Sequence, residues 1–126
     1  MISKIAGLIA APFTPFHADG QLNLRMIERQ AAHLIASGVS GAFICGTTGE
    51  SASLTIAERK LIAQRWVEVA GHELAVIVHT GHNCLADSRE LAAHAQQIGA
   101  HATAAVAPCY FKPARMPELV ACCQQM

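Results

Sequence analysis

Residues 41–71, GAFICGTTGESASLTIAERKLIAQRWVEVAG, contain one complete strand–loop–helix unit. The apolar run at 41–45 predicts a buried strand, and the segment at 46–50, GTTGE, predicts the loop that follows it. Thr55 is a typical helix N-cap residue, and Glu58, three positions later, completes a capping box. We therefore predict a second helix that begins at this cap.

The alternation of a short apolar run with a longer amphipathic segment occurs four times, at intervals of about 30 residues. The predicted strands cover residues 5–11, 41–45, 74–79 and 103–107. The predicted helices cover residues 24–36, 55–70 and 86–98, each followed by a glycine (Gly38, Gly71 and Gly99), and a last helix starts at Pro117.

Apolar strands joined by amphipathic helices predict an α/β fold with a parallel sheet covered by helices. Two architectures fit this pattern: an open doubly wound sheet, and half of an eight-fold (β/α) barrel. The spacing alone does not choose between them. No GxGxxG segment follows the first strand and no Walker loop is present, which argues against a nucleotide-binding open sheet.

The composition excludes several classes of function. Nine basic and nine acidic residues cancel, so neither nucleic acid nor a membrane surface is an expected partner. Hydrophobic residues make up 52% of the 126 residues and charged residues 14%, which predicts apolar surface that meets another half or another subunit. Residues 1–4 lead directly into a strand-like run without a signal-peptide pattern, so we expect a cytoplasmic protein.

The cysteines and histidines do not suggest a metal site. The five cysteines include no CxxC pair, and in a reducing compartment we expect them to be buried small hydrophobic residues. Among seven histidines, only His79 and His82 are close in sequence, and their rings should diverge at the end of a strand. We therefore predict no metal site.

In either architecture the ligand site lies beyond the carboxyl ends of the strands. Thr14 follows the first strand between two prolines, which favours a rigid loop. Thr47 and Thr48 follow the second strand, where hydroxyl and N–H groups can hold a carboxylate, although a plain turn fits equally well. Glu50 beside them is interpreted as a structural brace rather than an acid catalyst.

The third and fourth loops carry further candidates. His79 ends the third strand, where an acid–base role is possible in principle, but a packed, hydrogen-bonded histidine is the favoured interpretation. In the fourth loop, Tyr110 can relay protons or stack at an interface. Phe111 is expected to pack, and Lys112 to be solvated.

Together these segments resemble the N-acetylneuraminate lyase and dihydrodipicolinate synthase family of class I aldolases. The resemblance rests on GTTGE at 46–50, SLT at 53–55, ER at 58–59 and the Thr14–Pro15 element, in order over the whole chain. It implies a TIM (β/α)8 barrel, a homotetramer, and a lysine Schiff base with pyruvate that needs neither metal nor organic cofactor. It also implies that Thr47 and Thr48 hold the pyruvate carboxylate, and that Tyr110 matches an interface tyrosine in a proton relay.

Two loops resemble the lyase branch of the family. The segment APCYFKP at 107–113 is closer to the lyases' APFFLKP type than to the synthases' TPYYNRP type, and VHTGHN at 78–83 is similar to the lyase third loop. Lys112 replaces the arginine of the synthases. The resemblance therefore implies cleavage of N-acetylneuraminate to N-acetylmannosamine and pyruvate, with a dihydrodipicolinate synthase or another 2-keto-acid aldolase as the alternative.

The family's catalytic lysine on strand 6 and its YxxP tyrosine have no match here. The lysines are Lys4, Lys60 and Lys112, at the N-terminus, on a helix and in a loop. Residues 1–126 are interpreted as the N-terminal half of a single barrel domain, with only about the first four βα units, truncated near the start of helix 4. Such a half should be inactive alone, and a non-catalytic half-barrel that self-associates is a further alternative.

Overall fold

A computed structural model describes residues 4–126. Strands and helices alternate in it: β1 (Ile9–Ala10), α1 (Leu24–Ala36), β2 (Gly41–Ile44), α2 (Ile56–Ala70), β3 (Ala75–His79), α3 (Leu85–Gln97), β4 (Ala102–Ala104) and α4 (Met116–Gln125). A short 3₁₀ turn, Ser51–Ser53, precedes α2. The four predicted strand–helix units are confirmed, with most boundaries within one or two residues. The first and fourth strands are shorter than predicted.

The strand order distinguishes the two candidate architectures. The four strands pair in parallel in the order β1-β2-β3-β4, so each strand lies beside the next one in sequence. A doubly wound sheet instead reverses its strand order at a switch point. Sequential parallel order with intervening helices is the arrangement of a (β/α) barrel, and the described residues form four of its units.

Local sequence signals fix the helix ends. The N–H of Thr55 donates to Glu58 Oε2 at 2.8 Å, and the N–H of Glu58 donates to Thr55 Oγ1 at 3.2 Å. At the end of α1, Gly38 has a positive φ of 70°, its N–H donates to Ile35, and the next N–H donates to Leu34. This pattern is a Schellman motif, for which glycine is favoured because it carries no Cβ. The predicted capping box and helix ends are therefore confirmed.

The hydrophobic core lies between the helices and one face of the sheet. Alternate residues of β2 and β3 point to this face, since side chains of a strand alternate in direction. They are buried against the inner sides of α1 and α2, and the cluster includes Ile27, Ile44, Ile62, Trp66, Val76 and Val78.

The opposite face of the sheet is less covered. Strand register places Ile9, Phe43, Ile77 and Ala102 on it, and none of the four is fully buried. The continuous apolar run at 5–11 predicts a first strand that is buried on both faces, and this prediction is wrong, because Leu8 is 76% exposed and Ile9 is 36% exposed. In a closed barrel this face would line the interior, where side chains from all strands pack together.

Burial of the cysteines also differs from the prediction. Only Cys45 is buried, whereas Cys84, Cys109 and Cys123 are exposed and Cys122 is intermediate. The exposed cysteines lie in loops and on α4, which few other elements cover. In residues 4–126, no helix is both long and apolar enough to cross a membrane.

The capping box yields a stability prediction. Thr55→Ala removes the side-chain acceptor for the Glu58 N–H, and we expect the free energy of unfolding to fall by about 1 kcal/mol. Urea unfolding followed by circular dichroism measures the change. Ser53→Ala, an exposed neighbour outside the box, is the control and should cost less than about 0.5 kcal/mol. Equal losses in the two variants would contradict this role of the capping box.

Candidate functional site

The loops after the four strands meet at one edge of the sheet, because all four strands run in the same direction. This edge is where (β/α) barrels carry their ligand sites. A cleft of about 390 Å³ lies at the opposite, amino edge among residues such as Ser40, His72 and His101. Position in the fold therefore favours the carboxyl-edge loops as the functional site.

The loop after β2 has an unusual backbone. Cys45 and Glu50, which flank GTTG at 46–49, are the non-glycine residues with positive φ in the described chain, at 54° and 59°. A left-handed conformation costs a non-glycine residue about 1 kcal/mol or more, so tertiary contacts must hold the loop in this shape. A Cβ on Gly46 would lie 2.7 Å from the Phe43 ring, which explains glycine at that position.

Thr47 and Thr48 are exposed at the top of this loop. Within residues 4–126 their N–H groups have no hydrogen-bond acceptor, whereas the carbonyl of Thr47 accepts from the N–H of Glu50 at 3.0 Å. Two hydroxyls and two N–H groups are thus available to bind an anionic oxygen. Glu50 braces the loop through its backbone, while its carboxylate is exposed.

Thr14 connects the first loop to the second. Its side chain is buried, and Oγ1 donates a 2.7 Å hydrogen bond to the carbonyl oxygen of Gly49. The sequence predicted a rigid loop around Thr14, but it did not predict this contact across 35 residues. The hydrogen bond fixes the far end of the loop at 46–49, which we call the threonine loop.

Arg59 contributed to the family resemblance, but the sequence did not predict its structural role. Its side chain is 1% exposed, and its guanidinium donates from Nη2 to the carbonyl of His79 at 2.6 Å and from Nη1 to that of Gly81 at 3.2 Å. No carboxylate forms an ion pair with it in the described residues. Burial lowers the pKa of Arg59, but a guanidinium keeps its proton in proteins.

A sequence signal for Arg59 did exist. The buried positions of α2 are 59, 62, 63, 66 and 70, which form one helical stripe. Arg59 occupies the first position of this apolar stripe. A charged residue on a buried helix face is rare unless it has partners, so the spacing alone marked it for attention.

His79 is packed and hydrogen-bonded, as predicted. Its ring lies 6.1 Å from the Phe43 ring, and its Nε2 accepts from the N–H of Val106 at 3.3 Å. Burial and the adjacent Arg59 cation lower its pKa. Burial raises the pKa of the neighbouring Cys45 thiol to about 11, so this cysteine is a neutral thiol rather than a nucleophile.

The fourth loop is open to solvent. Tyr110 is 77% exposed and its ring packs edge-on against Phe111 at 4.9 Å. The expectation that Phe111 packs into the protein is wrong, because it is 84% exposed. Lys112 is exposed, as predicted. The structure therefore brings Thr47 and Thr48 together, and places Tyr110 two strands away on the same edge.

A small cleft of about 160 Å³ lies between the second, third and fourth loops. Arg59, His79, His82, Asn83 and Cys109 are among its lining residues. His82 Nδ1 accepts from the N–H of Cys84 at 3.0 Å and lies 3.4 Å from Asp87. In the described part of the chain, no group of three or more His, Cys, Asp or Glu side chains is arranged to hold a metal.

Comparison with known sequences agrees with this geometry. A profile described as "Dihydrodipicolinate synthetase family" matches residues 4–121. An N-acetylneuraminate lyase of Gallus gallus is 42% identical over 125 residues, which are 98% of this chain and 41% of the relative. One of Danio rerio is 44% identical over 114 residues, which are 89% of this chain and 37% of the relative.

Solved structures give the same result. An N-acetylneuraminate lyase of Proteus mirabilis matches with a TM-score of 0.94 and 47% identity, over 98% of this chain and 42% of that one. A dihydrodipicolinate synthase of Aquifex aeolicus matches with a TM-score of 0.87 and 31% identity, over 95% and 42%. This chain spans about two fifths of the length of the relatives it matches.

The Thr14 contact can be tested by a nearly isosteric change. Thr14→Val leaves the buried carbonyl of Gly49 without its donor, and we expect a loss of about 1–3 kcal/mol in the free energy of unfolding. Thr47→Val, an exposed threonine of the same loop, is the control and should change stability by less than about 0.5 kcal/mol. Chemical denaturation measures both, and a neutral Thr14→Val would contradict the contact.

The lowered pKa of His79 predicts a pH dependence of stability. The unfolded chain binds a proton at this residue below about pH 6.5, whereas the folded chain binds it only at lower pH. The stability contributed by neutral His79 is therefore present above pH 6.5 and is lost as the pH falls below it. Denaturation between about pH 7.5 and 5.5 should show this loss, and His79→Gln should reduce it.

His94 sets the control for that measurement, because burial and the charge of Lys60 lower its pKa as well. The free energy of unfolding of His79→Gln should therefore keep a weaker dependence on pH. The double variant with His94→Gln should remove this remaining dependence. If the pH dependence of the free energy of unfolding is unchanged in His79→Gln, His79 is not its source.

Proposed function

The chain belongs to the dihydrodipicolinate synthetase family, and from that premise we propose that it carries the carboxylate-binding half of an N-acetylneuraminate (sialic acid) lyase-type class I aldolase. The complete enzyme would cleave N-acetylneuraminate to N-acetylmannosamine and pyruvate through a lysine Schiff base. Its ligands would be small molecules, sialic acid and pyruvate, and the reaction needs no metal or organic cofactor.

The threonine loop is the observation that supports this proposal most. Thr47 and Thr48 present hydroxyls and N–H groups without partners in the described residues. Their loop is flanked by the left-handed residues 45 and 50, and the hydrogen bond from Thr14 holds it in this shape. Preorganised donors bind a carboxylate without the cost of ordering the loop at the moment of binding. We assign the carboxylate of the pyruvate moiety to these two residues.

The Schiff-base amine is assigned to a part of the barrel outside residues 1–126. Such an amine must be unprotonated when it attacks, which requires a lysine in a desolvated site. Lys60 lies on α2 and pairs with Glu90 of α3, and Lys4 and Lys112 are exposed. None of the three lies in a strand, so residues 1–126 alone are expected to lack lyase activity.

Lyase chemistry is preferred over synthase chemistry because of the fourth loop. By the resemblance, Lys112 stands where the synthases carry an arginine for their amino acid co-substrate. The Proteus mirabilis lyase is 47% identical to this chain, whereas the Aquifex aeolicus synthase is 31% identical. A dihydrodipicolinate synthase or another 2-keto-acid aldolase of the family remains the alternative substrate assignment.

Tyr110 is proposed as an interface residue in a homotetramer. Tyr110 and Phe111 pack against each other, and each is more than three-quarters exposed. Exposing this much apolar surface to water is unfavourable, and exposed aromatic residues are typical of a subunit contact. In that contact its hydroxyl would serve a proton relay in a neighbouring active site. A cytoplasmic location is supported by the free cysteines of the described chain, which are typical of a reducing compartment.

A second candidate is a non-catalytic half-barrel that associates with a second copy. The half-exposed sheet face with Ile9, Phe43 and Ile77, and the free edges of β1 and β4 in the described sheet, favour this possibility. Two copies would supply eight parallel strands and close the barrel. Sedimentation of the chain should then show a dimer, and a monomer that remains soluble would contradict this candidate.

A chimera tests the proposed activity. Residues 1–126 would replace the aligned segment of the Proteus mirabilis lyase. The match covers 98% of this chain. We expect the chimera to release pyruvate from N-acetylneuraminate, and Thr47→Val in it to raise KM about tenfold because carboxylate hydrogen bonds are lost. Thr103→Val, an exposed strand residue, is the control, and a folded chimera without lyase activity would contradict the proposal.

A further inference from the structure

We propose that His82 is a pH-sensitive switch in the third loop, in which the ring nitrogen Nδ1 exchanges one hydrogen-bond partner for another when the imidazole takes up a proton. In the neutral form Nδ1 accepts from the N–H of Cys84, and in the protonated form it donates to the carboxylate of Asp87. The switch does not depend on the activity proposed above, because both partners belong to the start of α3.

One ring nitrogen faces two partners that require opposite protonation states. The N–H of Cys84 donates to His82 Nδ1 at 3.0 Å, and Asp87 Oδ2 lies 3.4 Å from the same atom. A nitrogen that accepts a hydrogen bond has no proton of its own, whereas contact with a carboxylate is attractive when the nitrogen carries one. Histidine ordinarily changes its charge between about pH 5 and 8, so pH selects the partner.

The neutral ring caps the start of α3. Cys84 is the N-cap residue of this helix, and its own side chain makes no capping hydrogen bond. Asp87 occupies the third helical position, from which an acidic side chain in a capping box accepts the N–H of the N-cap residue. Here His82 accepts this N–H instead. The carboxylate of Asp87 is thereby left available for a protonated ring.

Buried hydrogen bonds hold the third loop around His82. The Arg59 guanidinium donates to the carbonyl of Gly81 at 3.2 Å, and Ser88 Oγ donates to the carbonyl of Thr80 at 2.9 Å. Both donors are fully buried, and neither changes its charge between pH 5 and 8. The side chain of His82 is 35% exposed, so its ring exchanges protons with water while these contacts stay in place.

Asn83 connects the switch to the fourth loop. It lies between His82 and Cys84, so we expect its backbone to move when the ring changes partner. Its Oδ1 contacts Cys109 Sγ at 3.7 Å, and His82, Asn83 and Cys109 all line the cleft between the second, third and fourth loops. The shape of this cleft should therefore differ between neutral and acidic solution.

The other ionisable groups at this cleft do not replace Asp87 as the partner of a protonated ring. Arg59 of α2 is a permanent cation. His79, at the end of β3, stays neutral to a lower pH than an ordinary histidine, because burial and the Arg59 charge lower its pKa. The thiol of Cys109, after β4, contacts Asn83. Asp87 supplies the negative charge beside the ring.

Three substitutions separate the two partners of Nδ1. An asparagine side chain can accept the N–H two residues later, so His82→Asn keeps the contact with Cys84 but takes up no proton. Asp87→Asn keeps the shape of the side chain and removes the charge that the protonated ring needs. Glu90→Gln is the matched control, because it removes the same charge from α3 where that charge pairs with Lys60.

The experiment is a titration of the full, isotope-labelled chain between about pH 8 and 5, followed by nuclear magnetic resonance. At pH 8 we expect an Nε2-protonated His82 ring and a coupling through the hydrogen bond between the Cys84 amide nitrogen and Nδ1. The coupling should disappear with the midpoint of the ring titration, and the Asn83 and Cys109 amide signals should shift with the same midpoint. In His82→Asn these amide signals should not follow that titration.

Asp87→Asn should lower the pH at which His82 takes up its proton by about half a unit, and Glu90→Gln by less than about 0.2 unit. A neutral ring protonated on Nδ1, or a Cys84 coupling that persists in acidic solution, would overturn the switch. Equal shifts in Asp87→Asn and Glu90→Gln would exclude Asp87 as the specific partner. The titration of the wild-type chain decides the exchange even if a variant does not fold.

Discussion

The buried guanidinium of Arg59 is the contact on which the geometry of the carboxyl-edge loops depends. A buried cation without a carboxylate partner is costly, and only well-placed dipoles offset that cost. Here the carbonyls of His79 and Gly81 supply those dipoles, and in doing so they are fixed relative to α2. One helix side chain thus determines how the chain leaves β3, and through the His79 ring, which accepts from the N–H of Val106, it reaches the loop after β4.

The sheet explains why the chain is rich in apolar residues and low in charge. One face is covered by α1 and α2, and the other carries Phe43 and Ile77 with only partial cover. A barrel resolves this imbalance by turning the second face inward, against side chains from further strands. The same reasoning accounts for exposed Ile9, whose strand lies at the sheet edge, and for exposed Leu8 just before it.

The sequence predicted the features that local physics controls. Helix ends followed from caps such as Thr55 with Glu58, and from Gly38, because these hydrogen bonds form within a few residues. Strand order settled the architecture, which periodicity had left open. Burial of the cysteines and of Phe111 was mispredicted, because burial depends on which other elements cover a residue, and a linear pattern does not contain that information.

Only part of the candidate site could be predicted from the sequence. Thr47 and Thr48 were recognised from residue type and motif, and their binding role stays a prediction. The hydrogen bond from Thr14 to Gly49 and the reach of Arg59 to β3 are long-range contacts, across 35 and about 20 residues. Neither residue carries a motif for its contact, although the place of Arg59 in a buried stripe was a readable signal.

The most direct measurement is a pyruvate titration of the isotope-labelled chain, followed by borohydride reduction and mass measurement of the same sample. We expect saturable shifts of the Thr47 and Thr48 amides and an unchanged mass, because the proposed loop binds the carboxylate but residues 1–126 supply no amine. A stoichiometric adduct would contradict the assignment of the amine to another part of the barrel. Unshifted threonine amides at saturating pyruvate would contradict the assignment of carboxylate binding to this loop.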